Sequence, residues 1–114
     1  MRTIIAGSRT ACSMLELEAA IRKCRWPITS VISGGARGAD RLGEQWARNH
    51  GIPFQVFPAD WDKWGKSAGY VRNKQMAEVA EALIALWDGE SRGTNDMIWQ
   101  AQVRRLKVHI EMVL

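Results

Sequence analysis

Hydrophobic positions along the chain fall into short runs that alternate between two periods. Residues 2–6, with Thr3, Ile4 and Ile5 in succession, read as a β-strand that Gly7-Ser8-Arg9-Thr10 brings to an end. Ser13 is placed to cap a helix, with Glu16 three residues on as in a capping box. Met14, Leu17, Ala20 or Ile21, and Cys24 then recur at helical spacing. Trp26-Pro27 closes that helix, because the residue before a proline is pushed out of the α region. A second strand covers Ser30–Ser33. Ala39, Leu42, Gly43, Trp46 and Ala47 follow at i, i+3, i+4, i+7 and i+8, the cleanest helical stripe in the chain, and His50-Gly51 stops it. Residues 53–57 predict a third strand, and residues 58–69 a long irregular connection, a kind of loop that is often functional. The spacing predicts a helix over 70–81 with Val71, Met76, Val79 and Ala80 inward. A nearly all-apolar strand, Ala82–Trp87, follows, as expected for a strand buried on both faces. A second glycine turn at 88–94 leads into a helix with Met97, Ile98 and Ala101 inward, and Lys107–Met112 predicts a fifth strand.

The order β-α-β-α-β-α-β-α-β argues an α/β fold, a mostly parallel sheet with helices on both faces, and residues 1–114 as a single domain. Composition changes this little: 46% hydrophobic and 25% charged residues are ordinary for a soluble domain. The apolar runs are too short for a membrane span, and residues 1–7 are broken too early for a signal peptide. Two cysteines, Cys12 and Cys24, fit a reduced, cytoplasmic protein. His50 and His109 stand apart from any Cys/His cluster, so neither a metal nor another cofactor is expected. The net charge of +4 favours anionic ligands, but the basic residues are scattered and charge alone does not argue for nucleic acid.

In a parallel sheet of this kind ligands sit beyond the carboxyl ends of the strands. The loops expected there hold Gly7-Ser8-Arg9, Gly34-Gly35-Ala36-Arg37-Gly38, Asp60-Trp61 and Ser91-Arg92-Gly93-Thr94. Strand, glycine turn and helix in succession make an anion site, because the first helical turn has free N–H groups and a positive dipole end. Neither the dinucleotide fingerprint nor a P-loop is present, which disfavours a dehydrogenase or an NTPase. Each feature also has a plain structural reading. The glycines suit tight helix–strand packing, Ser8 and Arg9 suit a turn with an exposed arginine, and Asp40 suits the first turn of its helix. Six tryptophans are many for this length. Trp46, Trp87 and Trp26 read as packing. Trp61 and Trp64 either plug the loop or stack on a base.

Together, Gly7-Ser8-Arg9, the segment from Ser33 to Asp40, Phe57-Pro58-Ala59-Asp60-Trp61, Gly69-Tyr70-Val71-Arg72-Asn73 and the segment from Trp87 to Thr94 resemble the YspA, YpsA-related branch of the SLOG superfamily. That superfamily is named for the Smf/DprA DNA-processing proteins and the LOG phosphoribohydrolases. The resemblance spans nearly the whole chain. It implies a Rossmann-like three-layer fold, for which the expected strand order is 3-2-1-4-5, a nucleotide site, and a homodimer of bacterial or phage origin. LOG enzymes cleave the base–ribose bond of nucleoside monophosphates. Arg72 stands four residues before Met76 as their arginine does, and Gly93-Thr94 is similar to their glycine–threonine pair. Their glutamate falls at Met97, and Asp96 is one residue early, about 100° away around a helix. A thioether cannot stabilise an oxocarbenium-like state as a carboxylate does.

The expected function is binding of a nucleotide or nucleotide-derived small molecule, with no membrane association. The expected ligand residues are Gly7, Ser8, Arg9, Gly34, Gly35, Ala36, Arg37, Gly38, Asp40, Trp61, Arg72, Asn73, Ser91, Gly93 and Thr94. Two alternatives are a phosphoribohydrolase using Arg72, Asp60, Asp88 or Asp40, and DprA-like binding of single-stranded DNA. The latter draws on the likeness of residues 33–40 to a Ser-Gly-x-Ala-Arg-Gly-x-Asp segment.

Overall fold

In the computed structural model, which describes residues 1–10 and 12–113, five strands form one sheet in the order β3-β2-β1-β4-β5. They are β1 (Arg2–Gly7), β2 (Ser30–Ser33), β3 (Phe54–Val56), β4 (Ala82–Trp87) and β5 (Lys107–Met112). All four pairings are parallel. The helices are α1 (Met14–Cys24), α2 (Ala39–Asn49), α3 (Trp61–Trp64), α4 (Ala68–Val79) and α5 (Arg92–Val103). The expected α/β architecture and strand order are therefore observed.

The sheet's two faces follow from the alternation of side chains along a strand. Ile4 and Ala6 of β1, with Leu83 and Ala85 of β4, pack against Met76, Ala77 and Ala80 at α4 and Met97, Ile98 and Ala101 of α5. Ile5, with Ile84 and Leu86, faces the opposite way, onto Leu17 and Ala20 of α1 and Ala39, Trp46 and Ala47 of α2. Trp26 packs on this second cluster and donates its indole N–H to Thr3 Oγ1 at 3.1 Å. Ser13 caps α1, accepting from the Glu16 N–H at 3.3 Å; Glu16 accepts the Ser13 hydroxyl proton rather than its backbone N–H.

The connection after β3 departs from expectation. Residues 58–69 are not irregular throughout: α3 and a 3₁₀ turn over Gly65–Ser67 occupy most of them, and α4 begins at Ala68 and ends at Val79 instead of covering 70–81. Asp60 initiates α3 by accepting the Lys63 N–H at 3.1 Å. With the earlier start, α4 turns Asn73, Met76 and Ala77 inward while Val79 is 41% exposed. Trp61 and Trp64 do not plug the loop; they are 55% and 45% exposed. The third strand is three residues long, Phe54–Val56, with Phe57 packing beside the first cluster. No helix among the described residues is long and apolar enough to cross a membrane.

Candidate functional site

The chain passes from β1 through β2 to β3 on one side of the sheet, then returns to add β4 and β5 on the other. The crossover point lies between β1 and β4, and a cleft of about 420 Å³ opens beyond their carboxyl ends. Its inner seam is built by close approach. A Cβ on Gly7 would strike the Leu86 carbonyl and lie 2.9 Å from Ala39 Cβ, so the end of β1 can lie against β4 and α2 only without a side chain. Ser8 then ties three elements together. Its N–H donates to Leu86 O at 2.9 Å, its carbonyl accepts from the Ala39 N–H at 3.2 Å, and its hydroxyl accepts from the Asp88 N–H at 3.1 Å. Ser8 is 1% exposed and does not line the cleft.

One wall is the glycine turn between β2 and α2. Gly35 and Gly38 have φ of 74° and 78°, a region that favours glycine. The turn is held from below by side chains: the Gly35 N–H donates to Ser33 Oγ at 3.0 Å, and that hydroxyl donates to buried Glu44 at 2.6 Å. The Ala36 N–H donates to the Asp40 carboxylate at 3.2 Å. Two amides expected to face a ligand are thus already engaged. Across the turn, Arg72 Nη1 donates to the Gly34 carbonyl at 2.7 Å. A Cβ on Gly34 would collide with the Arg72 guanidinium and lie 2.7 Å from Asp40 Oδ2, so this glycine makes room for both charges. Burial is the main reason that the Asp40 carboxyl is pushed up to about 6, against the opposing pull of the Ala36 amide and Arg72. Burial likewise lowers the Arg72 pKa.

The facing wall is the start of α5. Asp88 accepts the N–H groups of Glu90 and Ser91, both at 2.8 Å, and these amides hold its carboxyl below the usual carboxylate range. Ser91 occupies the N-cap position of α5 without a side-chain cap bond; it accepts instead from the Thr94 hydroxyl at 3.1 Å. Among the described residues, no side chain therefore caps the first-turn amides of α5 at its positive dipole end. Asn73 joins the walls by donating to the Gly93 carbonyl at 3.2 Å and to Asp96 at 3.0 Å, while accepting from Arg72 Nε at 3.1 Å.

Of the residues picked from the sequence, Gly7, Arg9, Ala36, Asp40, Trp61 and Arg72 line this cleft, as do Asn73, Asp88, Ser91, Gly93 and Thr94. Gly34, Gly35 and Arg37 line an adjoining groove of about 370 Å³, which shares Arg9, Ala36, Trp61 and Arg72 with the cleft. Gly38 lines neither; its missing side chain accommodates the Ser8 carbonyl. Asp60 also lines neither and serves as the cap of α3. Asp96 is turned to Asn73, and Met97, 1% exposed, lies at the cleft floor. The sequence did not reveal Lys66 and Tyr70 as lining residues, nor Ser33 and Glu44 as the support of the turn. Ser33 ends its strand beside the glycines, and Glu44 lies four residues after Asp40 on the same helical face, the one available clue.

The fold is similar to that of DNA processing protein A (DprA) from Streptococcus pneumoniae, with a TM-score of 0.74 and 17% identity, over 96% of this chain and 49% of that one. The Gene 61 protein of Mycobacterium phage D29 is 41% identical over 80 residues, which are 63% of this chain and 62% of the phage protein. The chain thus spans less than two thirds of the phage relative and about half of DprA. Residues 1–64, which carry β1, the Ser8 junction and the whole glycine turn, match the model of the YspA, cpYpsA-related SLOG family (YAcAr), and the chain belongs to that family.

Proposed function

We propose that the chain binds a nucleotide or a nucleotide-derived small molecule in the cleft between the glycine turn and α5. One observation carries this reading. Arg9, Arg72 and the uncapped start of α5 line one cleft at the sheet's crossover point, where a phosphate would find guanidinium groups and helix N-terminal amides together. Asn73 and Thr94 supply polar atoms beside that position, and Trp61 and Tyr70 at the rim offer flat apolar surfaces for a base. Binding without cleavage is the preferred reading. Met97 stands where the phosphoribohydrolases have a carboxylate, and Asp96 is held by Asn73 outside the cleft lining. The hydrolase alternative would fall to Asp40 or Asp88, the two carboxylates that line the cleft.

Thermal denaturation with a panel of nucleoside monophosphates and ADP-ribose tests the proposal. At least one ligand raises the melting temperature, and Arg9→Ala, at an exposed position, removes the shift. A panel that produces no shift at millimolar ligand overturns the reading. Chromatography of the same mixtures shows intact nucleotide; release of free base would establish the hydrolase alternative instead.

A further inference from the structure

The groove beside the cleft has a composition of its own. Arg9, Arg37, Arg41 and Arg72 converge on about 370 Å³ of space, and among the described residues no Asp or Glu lines it. Among the described residues the ion pairs are Arg2–Glu81, Lys23–Glu111 and His109–Glu111, so none of the four arginines is neutralised by a carboxylate within bonding distance. Burial chiefly lowers the Arg72 pKa, Asp40 opposes that shift, and Arg9 lies near enough to add to it. Among the described residues Asp40 is the one carboxylate felt by Arg72 and Arg9, so the four cations outnumber their counter-charge and repel one another, and an anion relieves that repulsion. The rest of the lining is largely apolar: Val56 is 40% exposed and Trp61 55%, with Pro58 and Ala59 between them in sequence. A lining that joins guanidinium groups to flat apolar surface suits a phosphate with its attached base.

The groove is continuous with the cleft through Arg9, Ala36, Trp61 and Arg72. Asp40 lines the cleft but not the groove, so the groove is the more positive of the two. We infer that the groove is a second anion subsite, and that the ligand is a dinucleotide: one nucleotide occupies the cleft and the second phosphate lies among Arg9, Arg37, Arg41 and Arg72. This inference rests on the proposed nucleotide reading and specifies the size of the ligand.

The test compares adenosine monophosphate, the 5′-phosphorylated dinucleotide pApA, and 5′-phosphorylated oligoadenylates of four and eight nucleotides by calorimetry at one salt concentration. The dinucleotide binds at least tenfold tighter than the monophosphate, and lengthening the chain adds nothing further. In the double variant Arg37→Glu with Arg41→Glu, both at exposed positions, the ratio of the two affinities falls to about one. Circular dichroism of the variant reports its fold. If the monophosphate binds and the dinucleotide gains nothing, the second subsite is wrong while the nucleotide reading stands. If affinity keeps rising with length, a single strand is the ligand and the dinucleotide assignment is overturned. If nothing binds, both readings fail.

Discussion

Asp40 is the residue with the most unusual setting. It is 6% exposed, it accepts the Ala36 N–H, and it lines the cleft. Its carboxyl is raised from 3.8 to about 6, so the folded chain retains a proton that the unfolded chain releases. The resulting contribution to stability is full below about pH 4, declines as pH rises, and is lost once pH passes about 6. A shift of roughly two units corresponds to about 3 kcal/mol as an upper figure. Asp40→Asn keeps a carbonyl oxygen for the Ala36 amide and removes the titration. Melting temperature plotted from pH 4 to pH 7 becomes flatter in the variant, which is the more stable protein at pH 7 by on the order of 1–3 kcal/mol. An unchanged slope would show that Asp40 does not titrate in this window. The burial behind this behaviour was not legible in the sequence. A carboxylate in the first turn of a helix ordinarily faces water and suits the dipole, and only the tertiary approach of the glycine turn and Arg72 encloses this one.

At the scale of elements, what the sequence could show tracks the strength of its periodicity. The β4 run and the α2 stripe were unambiguous, because both are dictated by burial on the sheet. α3 was hidden because it buries none of its residues, so no apolar repeat marks it; its one signal is the Asp60 cap. Val79 misled for a related reason: an apolar residue at a plausible spacing reads as core until the helix start is known. Gly43, included in the α2 stripe for its spacing, has a sharper role. A Cβ there would lie 2.8 Å from Ile5 Cβ and Cγ2. Ile5 is fully buried and pairs with Ile84 in the centre of the sheet, so it has no room to retreat. Gly43→Ala would gain about 1 kcal/mol in helix propensity, but crowding of this kind costs about 1–3 kcal/mol. The net expectation is a loss of up to about 2 kcal/mol in urea unfolding at constant m-value. A stabilised variant would mean that α2 can slide away from β1.

Across the whole molecule, order is unevenly distributed. Residues 82–86 are buried throughout, whereas residues 61–67 are all exposed. Local opening is easiest where few apolar contacts must be broken. Amides of α3 and the following 3₁₀ turn therefore exchange with deuterium orders of magnitude faster than those of β4. Trp61 and Lys66 of this segment, and Tyr70 just beyond it, line the cleft, so a saturating nucleotide slows exchange across 61–70. Fast exchange unchanged by a ligand that raises the melting temperature would place the ligand away from this rim.

The Ser8 junction has a consequence for the molecule's versatility. A single buried residue is bonded to β4, to the loop that carries Asp88 and to the first residue of α2, which locks both walls into one frame. An object pinned at three points has no adjustment left. If the cleft binds as proposed, retuning of its preference falls on parts hung outside that frame: the segment from Trp61 to Tyr70, and the outward arginines. Such a division separates what is held from what is chosen. On the proposed nucleotide reading, the frame would be the fixed seat for an anion, and the rim the part open to change for a different base or a longer ligand while the sheet beneath stays as it is.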